Sequence, residues 1–192
     1  MFAVDGGGRR ALPEVLDSVR AAGGARTAVF AASDRGGVIW PGPAAPRLAR
    51  ICVPCQAGND EEALAAAMLA LVGPARGVGC IGIDMMDIDD TVFRGGDGFA
   101  IDAAVPPGLA KDTGRLIAER LRSLGLEPRR VQRALISAVM TKDCTLHQLD
   151  DAIGSARTAI GDREDMPVAF SAQFLPDGYL RLATTLLAFI DS

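Results

Sequence analysis

ALISAVM at 134–140, TLHQLDDAIGSARTAI at 145–160, PVAFSAQF at 167–174 and YLRLATTLLAF at 179–189 succeed one another in the last third of the chain. The first is an apolar run of strand length and reads as a buried strand. In the second, Leu146, Leu149, Ile153, Ala156 and Ile160 keep the 3.6-residue spacing of one helix face. The last two flank Leu175-Pro176-Asp177-Gly178, a strong signal for a hairpin between them. The order is strand, helix, strand, strand, and it predicts a sheet packed with helices.

The same alternation extends upstream. Met1–Val4 is a short strand candidate, broken by Asp5-Gly6-Gly7-Gly8 before a helical pattern in Leu12, Val15, Leu16 and Val19 that stops at Gly23-Gly24. TAVFAA at 27–32 predicts a strand, 34–37 a turn and 38–40 its return, ahead of the Pro-rich PGPAAP at 41–46. LARICVP at 48–54 is a further strand. Asn59, Asp60, Glu61 and Glu62 place a cap and acids at the start of a helix through Leu64, Ala67, Met68 and Leu71, with Gly73-Pro74 as its predicted end. GFAIDAAV at 98–105 predicts a strand, and Ile117, Leu121 and Leu124 form the stripe of a helix closed by Gly125. The fold class is therefore α/β to α+β, a mixed sheet packed with helices. The expected division is 1–105 as a truncated α/β region and 106–192 as an α+β region, joined in one compact unit.

Composition bounds the partners. The chain has 192 residues, 49% of them hydrophobic and 23% charged, enough to bury roughly 70% of the surface exposed when unfolded. Twenty Lys and Arg against 24 Asp and Glu give a net charge of -4, with no basic run that would hold nucleic acid by its phosphates. No apolar stretch reaches the length of a membrane span, and MFAVDGGGRR lacks the pattern of a signal peptide, so a cytoplasmic protein is expected.

Three groups of residues could carry chemistry. Gly6, Gly7 and Gly8, with Arg9 and Arg10 after them, sit between a strand and a helix, where backbone N–H groups and guanidinium groups can hold an anion. The run lacks the Lys-Ser/Thr of a P-loop. The acidic stretch Asp84-Met85-Met86-Asp87-Ile88-Asp89-Asp90 has the carboxylate density to polarise a water or bind a cation, but not the spacing of an EF-hand. Its local reading is a solvated loop edge. Cys52 and Cys55 form a C-x-x-C, and Cys144 stands three residues before His147, the only histidine. Zinc ligation by these four, a redox pair and buried structural thiols are the three readings, of which buried thiols are favoured and no metal is expected.

From Lys111 to Phe189, the order of elements resembles the C-terminal domain of the bacterial division protein FtsZ and its tubulin relatives. Asp143-Cys144-Thr145-Leu146 is similar to that family's D-L-T-L-type helix start, and GYLRLAT at 178–184 to its D-E-x-R-V-T-V-type final strand. Upstream, Asp87-Ile88-Asp89-Asp90 resembles the N-x-D-F-x-D-V loop, with Asp87 and Asp90 at its two acids and Met85 in place of the leading Asn. Gly6-Gly7-Gly8 resembles the start of the phosphate-gripping G-G-G-T-G-T-G, with Arg9-Arg10 in place of the rest of that motif.

The resemblance implies that Asp87 and Asp90 are the catalytic candidates, acting on a nucleotide held by the next subunit of a filament. It implies a guanine nucleotide or another anion at Gly6 to Arg10 as the candidate cofactor. The chain has no room for the leading half of the family's GTP-binding domain, so GTP hydrolysis by itself is not expected. Two functions are compatible with these residues. One is a non-catalytic assembly or interaction protein that self-associates or binds a protein partner. The alternative is a small-molecule or nucleotide-binding protein or enzyme with a site at a subunit edge, built from Arg9, Arg10, the acids at 84–90 and His147. With no nucleophile and base at a recognisable spacing, the first is favoured.

Overall fold

The apolar runs pair edge to edge into one seven-stranded sheet in the computed structural model of the chain, which describes residues 2–4, 26–33, 40, 47–55, 59–75, 80–141, 143–161, 163–174 and 182–190. In chain order the strands are β1 (Phe2–Val4), β2 (Thr27–Ser33), β3 (Leu48–Pro54), β4 (Asp97–Val105), β5 (Arg133–Met140), β6 (Val168–Phe174) and β7 (Leu182–Ile190). The helices are α1 (Asp60–Ala75), α2 (Met85–Thr91), α3 (Thr113–Ser123) and α4 (Leu146–Ala159), with single 3₁₀ segments at Pro107–Asp112 and Pro128–Arg130. Across the sheet the order is β1-β2-β3-β4-β7-β5-β6. β1 to β4 run parallel, β7 is antiparallel to both of its neighbours, and β6 is parallel to β5. The fold is the mixed sheet with helices that the sequence predicts.

The period of two along each strand sorts the core into two layers. Ile101, Ala103 and Val105 of β4, Ala134, Ile136, Ala138 and Met140 of β5, and Leu182, Leu186 and Ala188 of β7 face α3 and α4, where Ile117, Leu121, Leu149 and Ile153 cover them. The other face carries Phe30, Ile51, Val53, Leu135, Leu187 and Phe189, covered by Leu64, Ala67 and Leu71 of α1 and by Ile88 of α2. Gly125, at a positive φ of 75°, closes α3, and the N–H of Leu126 reaches back to the Leu121 carbonyl at 3.0 Å. Only a residue without Cβ takes that conformation without strain.

Three expectations are corrected. The hairpin across 175–178 does not form, because β6 and β7 are not neighbours: β7 enters between β4 and β5. Its sequence LATTLLAFI is buried at seven of nine positions, and a strand apolar on both faces is stable only where both faces are covered. A Pro-Asp-Gly signal fixes a local chain reversal and says nothing about which strand the returning segment pairs with. The acidic stretch is a helix, not a loop edge, since Asp84 caps it. Finally, α1 continues through Gly73 and Pro74 to Ala75. The glycine loop at 6–8, the helical pattern from Leu12 to Val19, the turn at 34–37 with its return at 38–39, the Pro-rich 41–46 and the turn at 175–178 lie outside the described residues, and Trp40 is not in a strand.

Candidate functional site

The acidic segment is organised by hydrogen bonds within its own helix. The Asp84 carboxylate accepts the N–H groups of Met86 at 2.8 Å and Asp87 at 2.9 Å, and the Asp87 carboxylate accepts the N–H of Asp84 at 3.3 Å. This reciprocal capping box, reinforced by negative charge at the positive end of the helix, is why four acids in seven residues are compatible with a helix. Ile88 and Thr91 are the buried face of α2. The Thr91 hydroxyl donates back to the Asp87 carbonyl at 2.6 Å.

Each of the remaining acids has a cation. Arg26, just before β2, grips Asp89 with two guanidinium nitrogens on its two carboxylate oxygens. That hydrogen bonding holds the Asp89 carboxyl below its ordinary range, against a smaller opposing effect of burial. Asp90 meets Arg94 one turn on, at 3.1 Å. Arg133, buried at the start of β5, donates to the carbonyls of Thr91, at 3.4 Å, and of Gly95, and its guanidinium lies 5.3 Å from the centre of the Phe189 ring. The link from α2 into β4 is thus clamped to the sheet from below. Above it, Asp87 and Asp90 are exposed beside Met85 and Met86, which are 45% and 73% exposed.

Gly6, Gly7, Gly8, Arg9 and Arg10 lie outside the described residues. All four cysteines are thiols: Cys52 is buried in β3, Cys144 is buried just before the start of α4, Cys55 is half-buried and Cys80 is exposed. Burial, the larger cause, and the nearby Cys80 push the Cys144 thiol up, away from the reactive thiolate. The His147 side chain is 80% exposed, with Asp151 3.8 Å away. Among the described residues no three His, Cys, Asp or Glu side chains gather as metal ligands.

A cavity of about 330 Å³ has no counterpart in the sequence reading. β4 is paired with β3 only from Asp97 to Phe99, and the cavity opens where β3 leaves it. Ala100, Ile101 and Asp102 form one wall, Asn59, Glu62 and Ala63 at the start of α1 another, and Arg120, Ser123 and Leu124 at the end of α3 a third. The Thr185 hydroxyl donates to Asp102 at 2.6 Å. Burial nevertheless raises the Asp102 carboxyl above its ordinary value, opposed by that hydrogen bond and by the charge of Arg120. The one signal in the sequence is an acid inside GFAIDAAV, an otherwise apolar strand.

Solved structures share this architecture. The chain superposes over 98% of its length on an FtsZ dimer structure from M. jannaschii, with a TM-score of 0.75 at 15% identity. The fold is FtsZ/tubulin-like. It also aligns over 99% of its length with TubZ of Bacillus thuringiensis serovar israelensis in GDP-form protofilaments, with a TM-score of 0.56 at 9% identity. The chain spans 62% of the FtsZ chain and 64% of the TubZ chain. No protein-family profile and no curated protein matches the sequence. At these identities the FtsZ/tubulin-like likeness is one of fold. Among the described residues no helix is long and apolar enough to cross a membrane.

Proposed function

We propose that this chain is a non-catalytic FtsZ/tubulin-like assembly or interaction protein that self-associates or binds a protein partner in the cytoplasm. The observation that carries the reading is the state of the two candidate acids. Asp87 caps its own helix, Asp90 is ion-paired with Arg94, and Met85, which has no side-chain hydrogen-bond donor, stands at the leading position of the motif. A carboxylate engaged in this way is poorly placed to activate water, whereas an exposed helix presenting Met85 and Met86 between charges suits contact with another protein. The M. jannaschii FtsZ structure is a dimer and the TubZ structure a protofilament, which supports self-association as the mode of action. The experiment is sedimentation with and without GTP and magnesium, alongside phosphate release. Assembly without turnover supports the reading, and turnover lost in Asp87→Ala and Asp90→Ala overturns it.

The cavity beside Asp102 favours a second reading, a small-molecule site. Its volume suits a small ligand, and Glu62, Asp102 and Arg120 bring opposite charges to a space partly walled by Ala63, Ala100 and Ile101. Saturable thermal stabilisation by a nucleotide or other small molecule, abolished in Arg120→Ala, is the result that makes it the better one.

A further inference from the structure

We infer that the outer edge of β6 is a self-association surface that adds the same strand of a second copy, antiparallel, in a register centred on Ala169. The inference rests on the self-association reading above and names the surface. β6 is the last strand on its side of the sheet. Alternate residues of a strand send both backbone groups to the same side. Ala172 sends its groups outward: its N–H reaches the Ile81 carbonyl at 3.1 Å, and its carbonyl accepts from Cys80 at 3.0 Å and Ile81 at 3.3 Å. The Pro167 carbonyl, of the opposite parity, accepts from Ala134 of β5 at 3.0 Å. Val168 and Phe170 share the parity of Ala172, so their N–H and C=O groups also point away from β5. Among the described residues these groups have no hydrogen-bond partner.

The edge already accepts an antiparallel segment at Ala172 through an isolated bridge to Ile81. VAFSAQF contains no charge and no proline, where native edge strands carry lysine, proline or a bulge. A second copy fits better than an arbitrary strand for two reasons. The chain carries a net charge of -4, and a charge-free strip is where two copies meet without like-charge repulsion. In the register centred on Ala169, Val168 of each copy stands opposite Phe170 of the other. Both side chains are half-buried on the face shared with α3 and α4, and an aromatic opposite a β-branched residue is a favourable cross-strand pair. The two-fold closes the contact, and the bridge between Ala172 and Ile81, which holds the place that Met166 of the second copy would take in this register, limits the paired stretch to 168–170.

The test is sedimentation equilibrium of the whole chain and of Val168→Pro and Phe170→Pro. Each proline removes an outward N–H that β5 does not use, so the ladder with β5 survives. The expected result is a concentration-dependent dimer whose dissociation constant rises at least about tenfold in both variants, with an unchanged circular dichroism spectrum. Should a variant fail to fold, amide exchange of the unaltered chain answers the same question: the Val168 and Phe170 amides gain protection as concentration rises. Association that the prolines leave unchanged, or amides whose exchange ignores concentration, overturns this surface while the self-association reading stands. A monomer at every concentration overturns both.

Discussion

Arg50 of β3 stands opposite Asp97 of β4 in register, and the two form an ion pair across the seam where the parallel strands meet the antiparallel part of the sheet. The Arg50 side chain is 4% exposed and that of Asp97 31%. Trp40 lies over the guanidinium, its ring centre 5.9 Å away. A buried guanidinium that loses a carboxylate partner keeps the cost of its burial without that compensation. Asp97→Ala is expected to lower unfolding free energy by about 3 kcal/mol, read as a shift of the urea midpoint at constant slope. A loss below about 1 kcal/mol means that the pair contributes little to the seam.

The capping box separates structure from chemistry at Asp87. Asp84→Ala removes the acceptor for two backbone N–H groups and is expected to cost about 1 kcal/mol. Asp87→Asn keeps an acceptor for the Asp84 N–H while removing the charge, so thermal stability is expected to change by less than about 0.5 kcal/mol. If Asp87→Asn melts as low as Asp84→Ala, the cap depends on the charge and not on the acceptor.

At Gly114 the backbones of α3 and α4 approach each other directly. A Cβ there would lie 2.1 Å from the Ser155 carbonyl oxygen, and the Gly114 N–H donates to the Ser155 hydroxyl at 3.1 Å. Backbone must move to admit a methyl group, so Gly114→Ala is expected to destabilise by about 2–3 kcal/mol. Gly108, where a Cβ would meet nothing within 4 Å, is the matched control: Gly108→Ala should melt within about a degree of the unaltered chain.

Asp102 gives a pH-dependent effect whose sign is set by its environment. Burial raises its folded-state pKa above the unfolded value. Its contribution is therefore fully present below the unfolded pKa, near about 4, and is lost as pH rises through the folded value. At neutral pH the ionised carboxylate costs stability, so Asp102→Asn is expected to raise the melting temperature at about pH 7 and leave it unchanged at about pH 3.5. Because Asp102 lines an open cavity, solvent there screens the charge and the gain should stay under about 1 kcal/mol. Melting curves of both proteins across that range decide it, and a loss at neutral pH means that the charge serves a partner in the wall.

Much of this architecture is legible in the residues because hydrophobic period and burial are local properties. The boundaries of β2, β3, β4 and β5 fall within a residue or two of the apolar runs, and α4 starts after Thr145, whose hydroxyl and Gln148 complete a capping box. Pairing is less legible. Nothing within 167–189 reveals that β5 lies between β6 and β7, because that choice depends on which faces α1, α3 and α4 have already covered. The acidic stretch reads locally as a loop edge, and what makes it a helix is one residue, Asp84, whose side chain supplies the first acceptor of the helix. Of the Asp102 cavity the sequence shows only the acid in GFAIDAAV, because its walls come from β3, β4, α1 and α3, distant along the chain. Arg26 and Asp89, 63 residues apart, are the same kind of case.

β7 occupies the middle of the sheet although it is the last of the seven strands to leave the ribosome. Until residues 182–190 emerge, β4 and β5 each hold an unsatisfied long edge, and the helices that cover them have only half a surface to settle on. The nascent chain thus carries two incomplete half-sheets until this strand is made, and their joining is a late event between segments far apart in sequence. During synthesis this interval is when the chain is most exposed to mispairing, and it is where a chaperone that shields open strand edges has the most to do.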